Sequence, residues 1–340
     1  MKVRQAVVMV GGKGTRLLPL TETRPKIILP VADKPCLWYL LRSLAYGGIE
    51  EVILACGYKS ELMRRTIGDG SDLGIDIQYS YEDEPMGTGG AMKLVEDRLD
   101  DTFVAANGDV FVSMDVSAEI RTHQETGAAV TIALTPVDNP CEFGIARVDD
   151  DNRISEFKEK PKPEEVFSNL INAGVYVLQK DVLSEVPEHT FYDFSKDLVP
   201  KLMSEGRRIQ GHTVDGIWMD VGRPRDLLRA NLAIAEAEYG DRDWKAPGCA
   251  IEGPFYLGHG ASAHGSRLTD TVILDSASVR NSTLDRALVM SGCEVHGAEI
   301  VNSILGEGCR IGKGAKVSNS VLADGTVVKA GEVLDEGRSV

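Results

Sequence analysis

The chain has 340 residues, more than one hydrophobic core usually fills, so two domains are expected and a single compact bundle is not. It carries 37 Lys and Arg against 52 Asp and Glu, a net charge of −15 with no basic run, which excludes a protein that holds nucleic acid or an anionic membrane by charge. Cysteines 36, 56, 141, 249, 293 and 309 are widely spaced without a CxxC pair, and the N-terminal apolar run, Ala6 to Val10, is too short for a signal peptide. Nothing later reaches the length of a membrane span, so a soluble protein of the reducing cytoplasm is expected.

Short apolar strands then alternate with helical stretches, the pattern of βα units around a mostly parallel sheet. Strands are predicted at Ala6–Val10, Val52–Ala55, Ile75–Ser80 and Thr102–Ala106, with a helix at Pro35–Gly47. Ligands in such folds bind beyond the carboxyl ends of the strands, which makes Gly11 onward and Asn107-Gly108-Asp109 candidate site loops. From Ala128 to Val214 the chain is strand-rich, with a hairpin at Arg147–Lys158 turned through Asp149–Asn152. A helix at Arg223–Tyr239, stopped by Gly240, follows.

Composition changes after this point. All fourteen prolines lie at or before Pro254 and no aromatic residue follows Tyr256. Small or β-branched residues recur at six-residue steps (Cys309, Ala315, Val321, Val327, Val333, with Ile311, Val317 and Ala323 alongside). The words Asn281-Ser-Thr-Leu, Asn302-Ser-Ile-Leu and Asn319-Ser-Val-Leu bracket an eighteen-residue coil of three edges. A six-residue period with a small-side-chain interior is the mark of a β-helix, here of about five coils, and a β-sandwich would need two-residue alternation and core aromatics. The expected domains are residues 1–240 and 248–340.

Strand one empties into Gly11-Gly12-Lys13-Gly14-Thr15-Arg16-Leu17, then Pro19-Leu20-Thr21 and Pro25-Lys26. Glycines after a strand let backbone N–H groups approach a phosphate, and Arg16 and Lys26 bring cations to the same anion. The string is neither a P-loop, having no Ser or Thr after a Gly-Lys pair, nor a complete dinucleotide fingerprint. Its full length resembles the signature of the sugar-1-phosphate nucleotidylyltransferases, with Val10 where that family usually has Ala. The resemblance implies a Rossmann-like, GT-A-like α/β catalytic domain followed by a short left-handed parallel β-helix of hexapeptide repeats. It also implies that Gly11, Gly12, Gly14 and Thr15 wrap the nucleotide phosphates, while Arg16 and Lys26 stabilise the α-phosphate and the leaving pyrophosphate.

Other landmarks of that family occur in order. Asp109, in Asn-Gly-Asp, and Asp220, in Trp-Met-Asp-Val-Gly, match its two metal-binding aspartates, and two carboxylates with substrate phosphates and water are how Mg²⁺ is usually held. Glu159 and Asn172 match residues that bond sugar hydroxyls, Gly144 one that lets the sugar approach the backbone, and Lys160 one that grips the sugar phosphate. Glu82, ahead of Pro85, Gly87 and Thr88, resembles the guanylyltransferase version of the base loop. An acceptor-only carboxylate suits the N1–H and N2–H donors of guanine, where thymine or uracil suits an amide. The expectation is GTP with mannose-1-phosphate, ahead of a heptose-1-phosphate guanylyltransferase or a glucose-1-phosphate enzyme using dTTP or UTP. A phosphate monoester is largely dianionic at neutral pH, its second pKa being about 6, so it needs no general base, and none of the six histidines falls in a motif. Two rivals are an acyltransferase, which would need a positioned histidine and more coils, and a regulatory subunit, which should have lost Arg16, Lys26, Asp109 or Asp220. The solenoid is expected to mediate homo-oligomerisation.

Overall fold

The computed structural model describes residues 2–336 apart from Lys13, Tyr58, Lys59 and Asp83. Lys13 of the glycine loop, Asp83 of the base loop and the last four residues of the expected solenoid therefore lie outside the described residues. The chain divides into two compact units, one of Met1–Gly12 with Leu37–Met219, the other of Lys13–Cys36 with Asp220–Val340.

The first unit is built on strands β1 (Gln5–Val10), β2 (Glu51–Cys56), β3 (Asp76–Tyr81), β4 (Thr102–Asn107), β5 (Val110–Met114), β6 (Val130–Pro136), β7 (Gly144–Val148), β8 (Ile154–Glu159), β9 (Leu170–Gln179), β10 (Ile209–Thr213) and β11 (Gly216–Asp220). The main sheet runs β8-β7-β9-β4-β1-β2-β3, with β6 and β10 extending from β9, while β5 and β11 pair separately. Its Rossmann-like half, β4-β1-β2-β3, is parallel, with Ala6 of β1 facing both Val52 and Val104. β9 then turns the order over, pairing antiparallel with β4 and with β6. All six residues of β1 are buried, as a central strand covered on both faces requires. Helices α1 (Cys36–Tyr46), α2 (Gly87–Leu94) and α3 (Val116–Thr126) flank the strands.

β4 breaks beside β1 because Gly108 sits on the end of that strand. Its N–H donates to the Met9 carbonyl at 2.8 Å, and a Cβ there would lie 2.6 Å from Val10 Cγ1. The carboxyl ends of β1 and β4, with Gly11 and Asp109 just beyond them, are thus adjacent in the sheet, as the two predicted loops require.

In the second unit, helix α4 (Pro224–Tyr239) carries Asn231, which is fully buried. Its amide donates to the Pro30 carbonyl at 3.1 Å and accepts from Ala32 N–H at 2.8 Å, pinning the segment around residues 30–32 to the helix. Beyond α4, Tyr239, Trp244, Phe255 and Tyr256 stack edge to face at the start of the solenoid. The solenoid is the expected hexapeptide β-helix. Its strands are stacked parallel, and Arg267, Thr283, Glu299, Lys316 and Val333 are successive partners.

Those partners step by 16 or 17 residues, so the eighteen-residue coil expected from the repeated words is too long. The corners explain the error. Gly265, Asn281, Gly297, Gly314 and Gly331 form one column of left-handed residues, and Asp270, Arg286, Asn302, Asn319 and Glu336 form another. Asn302 and Asn319 are one coil apart in the second column, whereas Asn281 belongs to the first. The six-residue row slips for the same reason: Cys309 and Ala315 are buried, but Val327 and Val333 are 63% and 65% exposed while Leu322 and Val328 fill the interior. Ile311 and Val317 are buried as expected. All six cysteines are free thiols, and among the described residues no helix is long and apolar enough to cross a membrane.

Candidate active site

In the second unit the signature string becomes a cationic turn closed on an acid. Gly14 adopts a left-handed conformation, φ 62°, and its carbonyl accepts from Thr21 Oγ1 at 2.8 Å. A side chain at residue 14 would press within 3.1 Å of both Thr21 and Lys26. Thr15–Leu17 and Lys26–Ile28 each form a 3₁₀ turn, the second started by Pro25. Lys26 is only 8% exposed, and its Nζ lies 3.4 Å from Asp220 Oδ1, while Arg16 Nη2 lies 4.0 Å from Asp220 Oδ2. Gly222 makes room for this, since a Cβ there would sit 2.8 Å from Asp220 Oδ2 and 3.1 Å from Arg16 Nη2. Arg16, Lys26 and Asp220, far apart in sequence, therefore meet.

Two further cations were not foreseen. Arg223 and Arg225, at the start of α4, line with Thr15, Arg16 and Pro224 a cleft of about 500 Å³. Three arginines thus line one cleft in a chain of net charge −15. The available signal was the Arg223-Pro224-Arg225 run directly after the Trp-Met-Asp-Val-Gly motif.

In the first unit, Glu82 follows β3 and accepts from Met86 N–H at 3.3 Å through Oε2, and burial pushes its carboxyl above the ordinary range. Gly87, at φ 72°, and Gly89 open α2 against the Tyr192 carbonyl, which would lie 2.7 Å from a Cβ at residue 87. Thr88 Oγ1 accepts from Phe194 N–H at 2.9 Å, so this hydroxyl also ties α2 to the residues after Tyr192.

The predicted sugar residues gather on β7, β8 and β9. Gly144 and Glu159 are partners across the hairpin, and a Cβ on Gly144 would lie 2.6 Å from Glu159 Oε2. Burial raises the Glu159 carboxyl, and Lys160, held at φ 48° with Nζ 3.9 Å from Glu159 Oε1, partly offsets this. Asn172 is more heavily used than expected: its amide donates to Tyr176 Oη at 3.0 Å and Ser195 Oγ at 3.1 Å and accepts from Gly174 N–H at 2.9 Å. Trp218 donates to the Ala173 carbonyl at 2.8 Å and packs edge-on to Phe143, contacts that the sequence motif did not announce.

Asp109 and Asp220 belong to different units. Among the described residues no group of three or more His, Cys, Asp or Glu forms a metal cage. Asp220 presents two carboxylate oxygens, the donor type a hard cation takes, and both face cations, Oδ1 toward Lys26 and Oδ2 toward Arg16.

Residues 5–237 match the nucleotidyl transferase family and residues 271–337 match the GlmU-like, C-terminal hexapeptide family. The chain therefore belongs to the nucleotidyl transferases, and among them to the sugar-1-phosphate nucleotidylyltransferases. It is 35% identical to a mannose-1-phosphate guanylyltransferase of Mycobacterium tuberculosis over 97% of this chain and 82% of that one. It is 28% identical to a UTP–glucose-1-phosphate uridylyltransferase of Synechocystis over 97% and 90% respectively. Among solved structures it resembles HddC from Yersinia pseudotuberculosis complexed with GMP-PN, at 26% identity and a TM-score of 0.58, over 67% of this chain and 98% of that one. Members of this family generally use a divalent metal.

Proposed function

We propose that the protein joins GTP to mannose-1-phosphate, releasing pyrophosphate and forming GDP-mannose. The observation that carries the choice of base is the half-buried Glu82 carboxylate, an acceptor for the N–H edge of guanine. The kinship with a mannose-1-phosphate guanylyltransferase supports the same sugar.

The sugar phosphate, a dianion, attacks the nucleotide α-phosphorus in line with the departing pyrophosphate and requires no base. Gly11, Gly12, Gly14 and Thr15 present backbone N–H groups to the phosphates, with Gly87 and Thr88 shaping the base side. Arg16 and Lys26 stabilise charge developing on the α-phosphate and on the bond that breaks, and Arg223 and Arg225 extend that field to the product pyrophosphate. Glu159 and Asn172 orient the sugar over Gly144, and Lys160 holds its phosphate. Asp109 and Asp220 would hold Mg²⁺, whose chemistry here is to neutralise and align the phosphates. That pairing rests on the order of the motifs.

The catalytic part is assigned to residues 1–240 and the solenoid to 248–340. Exposed Val327 and Val333 on the last coils favour self-association through the solenoid, which light scattering after size exclusion checks: a clean monomer contradicts it. Free thiols throughout favour the cytoplasm.

Pyrophosphate release with Mg²⁺ across five nucleoside triphosphates and several sugar phosphates tests the reading. GTP with mannose-1-phosphate should lead. A preference for UTP or dTTP refutes the role of Glu82, a heptose phosphate moves the sugar, and silence across the grid removes the enzyme.

A further inference from the structure

Arg24 lies two residues before Lys26, yet its partners are on the solenoid. Its side chain is 16% exposed; Nη2 donates to Asp324 Oδ2 at 2.6 Å and Nη1 donates to the Glu307 carboxylate. Thr23 Oγ1 also donates to Asp324 Oδ2, at 3.2 Å. Glu307 and Asp324 stand on successive coils, each one residue before a left-handed corner glycine, Gly308 or Gly325. Asp324 Oδ1 in turn accepts from Glu307 N–H at 2.9 Å, so the two acids are fixed relative to each other before Arg24 arrives. A guanidinium fork set between two positioned carboxylates is a directional tie, not a loose surface pair.

The stretch held this way is irregular, fixed at its start by the Thr21 bond to Gly14 and at its end by Arg24. Between the 3₁₀ turn ending at Leu17 and the one beginning at Lys26 the chain forms no helix or strand. Two residues of chain span at most about 7 Å, so a shift of the Arg24 anchor reaches the Lys26 backbone with little slack. Displacement of a catalytic group by about 1 Å can cost on the order of a hundredfold in rate.

We propose that Arg24, clamped by Glu307 and Asp324, is a positioning residue through which the β-helix sets the place of Lys26. The inference rests on the catalytic role assigned to Lys26, and it makes the solenoid part of the catalytic apparatus rather than an appended assembly module.

The test uses the full chain with Mg²⁺, GTP and mannose-1-phosphate, or whichever pair the wild type turns over best. Arg24→Met and Asp324→Asn should each lower kcat about tenfold to a hundredfold with the KM for the sugar phosphate little changed. The double variant should be no worse than Arg24→Met alone, because both remove one tie. Lys26→Ala should cost distinctly less in the Arg24→Met background than in the wild type, a coupling that general loss of stability does not produce. If Arg24→Met is unfolded at the assay temperature, Glu307→Gln, on the more exposed arm, carries the same measurements. A folded Arg24→Met or Glu307→Gln enzyme with kcat within twofold of wild type, or strictly additive effects with Lys26→Ala, overturns the proposal. An inactive wild type would instead overturn the enzymatic reading on which it rests.

Discussion

Replacing Lys26 by alanine is the sharpest test of the assigned chemistry. Lys26 is 8% exposed and its ammonium is 3.4 Å from Asp220, whereas the Arg16 side chain is 54% exposed and lies 4.0 Å from the same acid. Bulk water therefore screens Arg16 more than Lys26, and the lysine delivers more of its charge to an incoming phosphate. Removing one preorganised electrostatic group from such a site typically costs about 10²–10³ in kcat, or about 3–4 kcal/mol of transition-state stabilisation. Lys26→Ala should fall in that range and Arg16→Ala nearer tenfold. The fold should survive, because Asp220 keeps Arg16 and is itself partly hydrated, so the loss of stability should be about 1–2 kcal/mol. Steady-state pyrophosphate release, with circular dichroism melting as the control, separates the two effects. A Lys26→Ala enzyme within tenfold of wild type, or one less impaired than Arg16→Ala, refutes the reasoning.

Three other outcomes are expected. Glu82→Gln should weaken GTP by about 1–3 kcal/mol in kcat/KM and improve UTP or dTTP, and in the wild type the KM for GTP should rise as pH falls through the burial-raised carboxyl range; a pH-independent KM counts against the carboxylate contact. Arg225→Ala should raise the KM for pyrophosphate in the reverse reaction several-fold without altering that for the nucleotide-sugar, a modest effect because its side chain is 71% exposed; no change would remove Arg225 from the pyrophosphate path. Glu119 on α3 is fully buried, the Ala133 backbone is too poorly placed to make a full hydrogen bond to its carboxyl, and burial lifts its pKa from 4.5 to about 8 against the weak pull of that backbone group. Its folded pKa lies above its unfolded one, so as pH rises between those values the protein should lose about 1.4 kcal/mol of stability per pH unit, and urea unfolding of Glu119→Gln should lose less. Parallel slopes for the two proteins would show that Glu119 does not titrate in this way.

Local signals were legible wherever backbone chemistry is punctuated by sequence. Gly240 marked the end of α4, the Asp149–Asn152 turn marked the β7–β8 hairpin, and the strands of the parallel half stand within a residue of their predicted ends. That Arg16, Lys26 and Asp220 meet was expected only through the resemblance of the whole string to a family signature, since each residue alone is an ordinary turn or surface group. What escaped was set by contacts remote in sequence. Nothing near Arg24 announces carboxylates 283 and 300 residues away, and nothing near Asn172 shows that Ser195, 23 residues on, takes a bond from its amide. The coil length was misread for a geometric reason: one asparagine-serine word serves two different corners, so counting between words mixed a full turn with a partial one.

The segment Lys13–Cys36 leaves the ribosome well before residues 220–340, which complete the compact unit to which it belongs. At a synthesis rate of about 5–20 residues per second, Arg24 waits roughly 15–60 s for Asp324 to be made. During that interval the sheet of the first unit can form from its own strands, and the turn bearing Arg16 and Lys26 can meet Asp220 before Arg24 meets its two acids. A truncated product that stops short of the solenoid would carry the glycine signature, Asp220 and Asn231 and still lack Glu307 and Asp324, the two acids that hold Arg24.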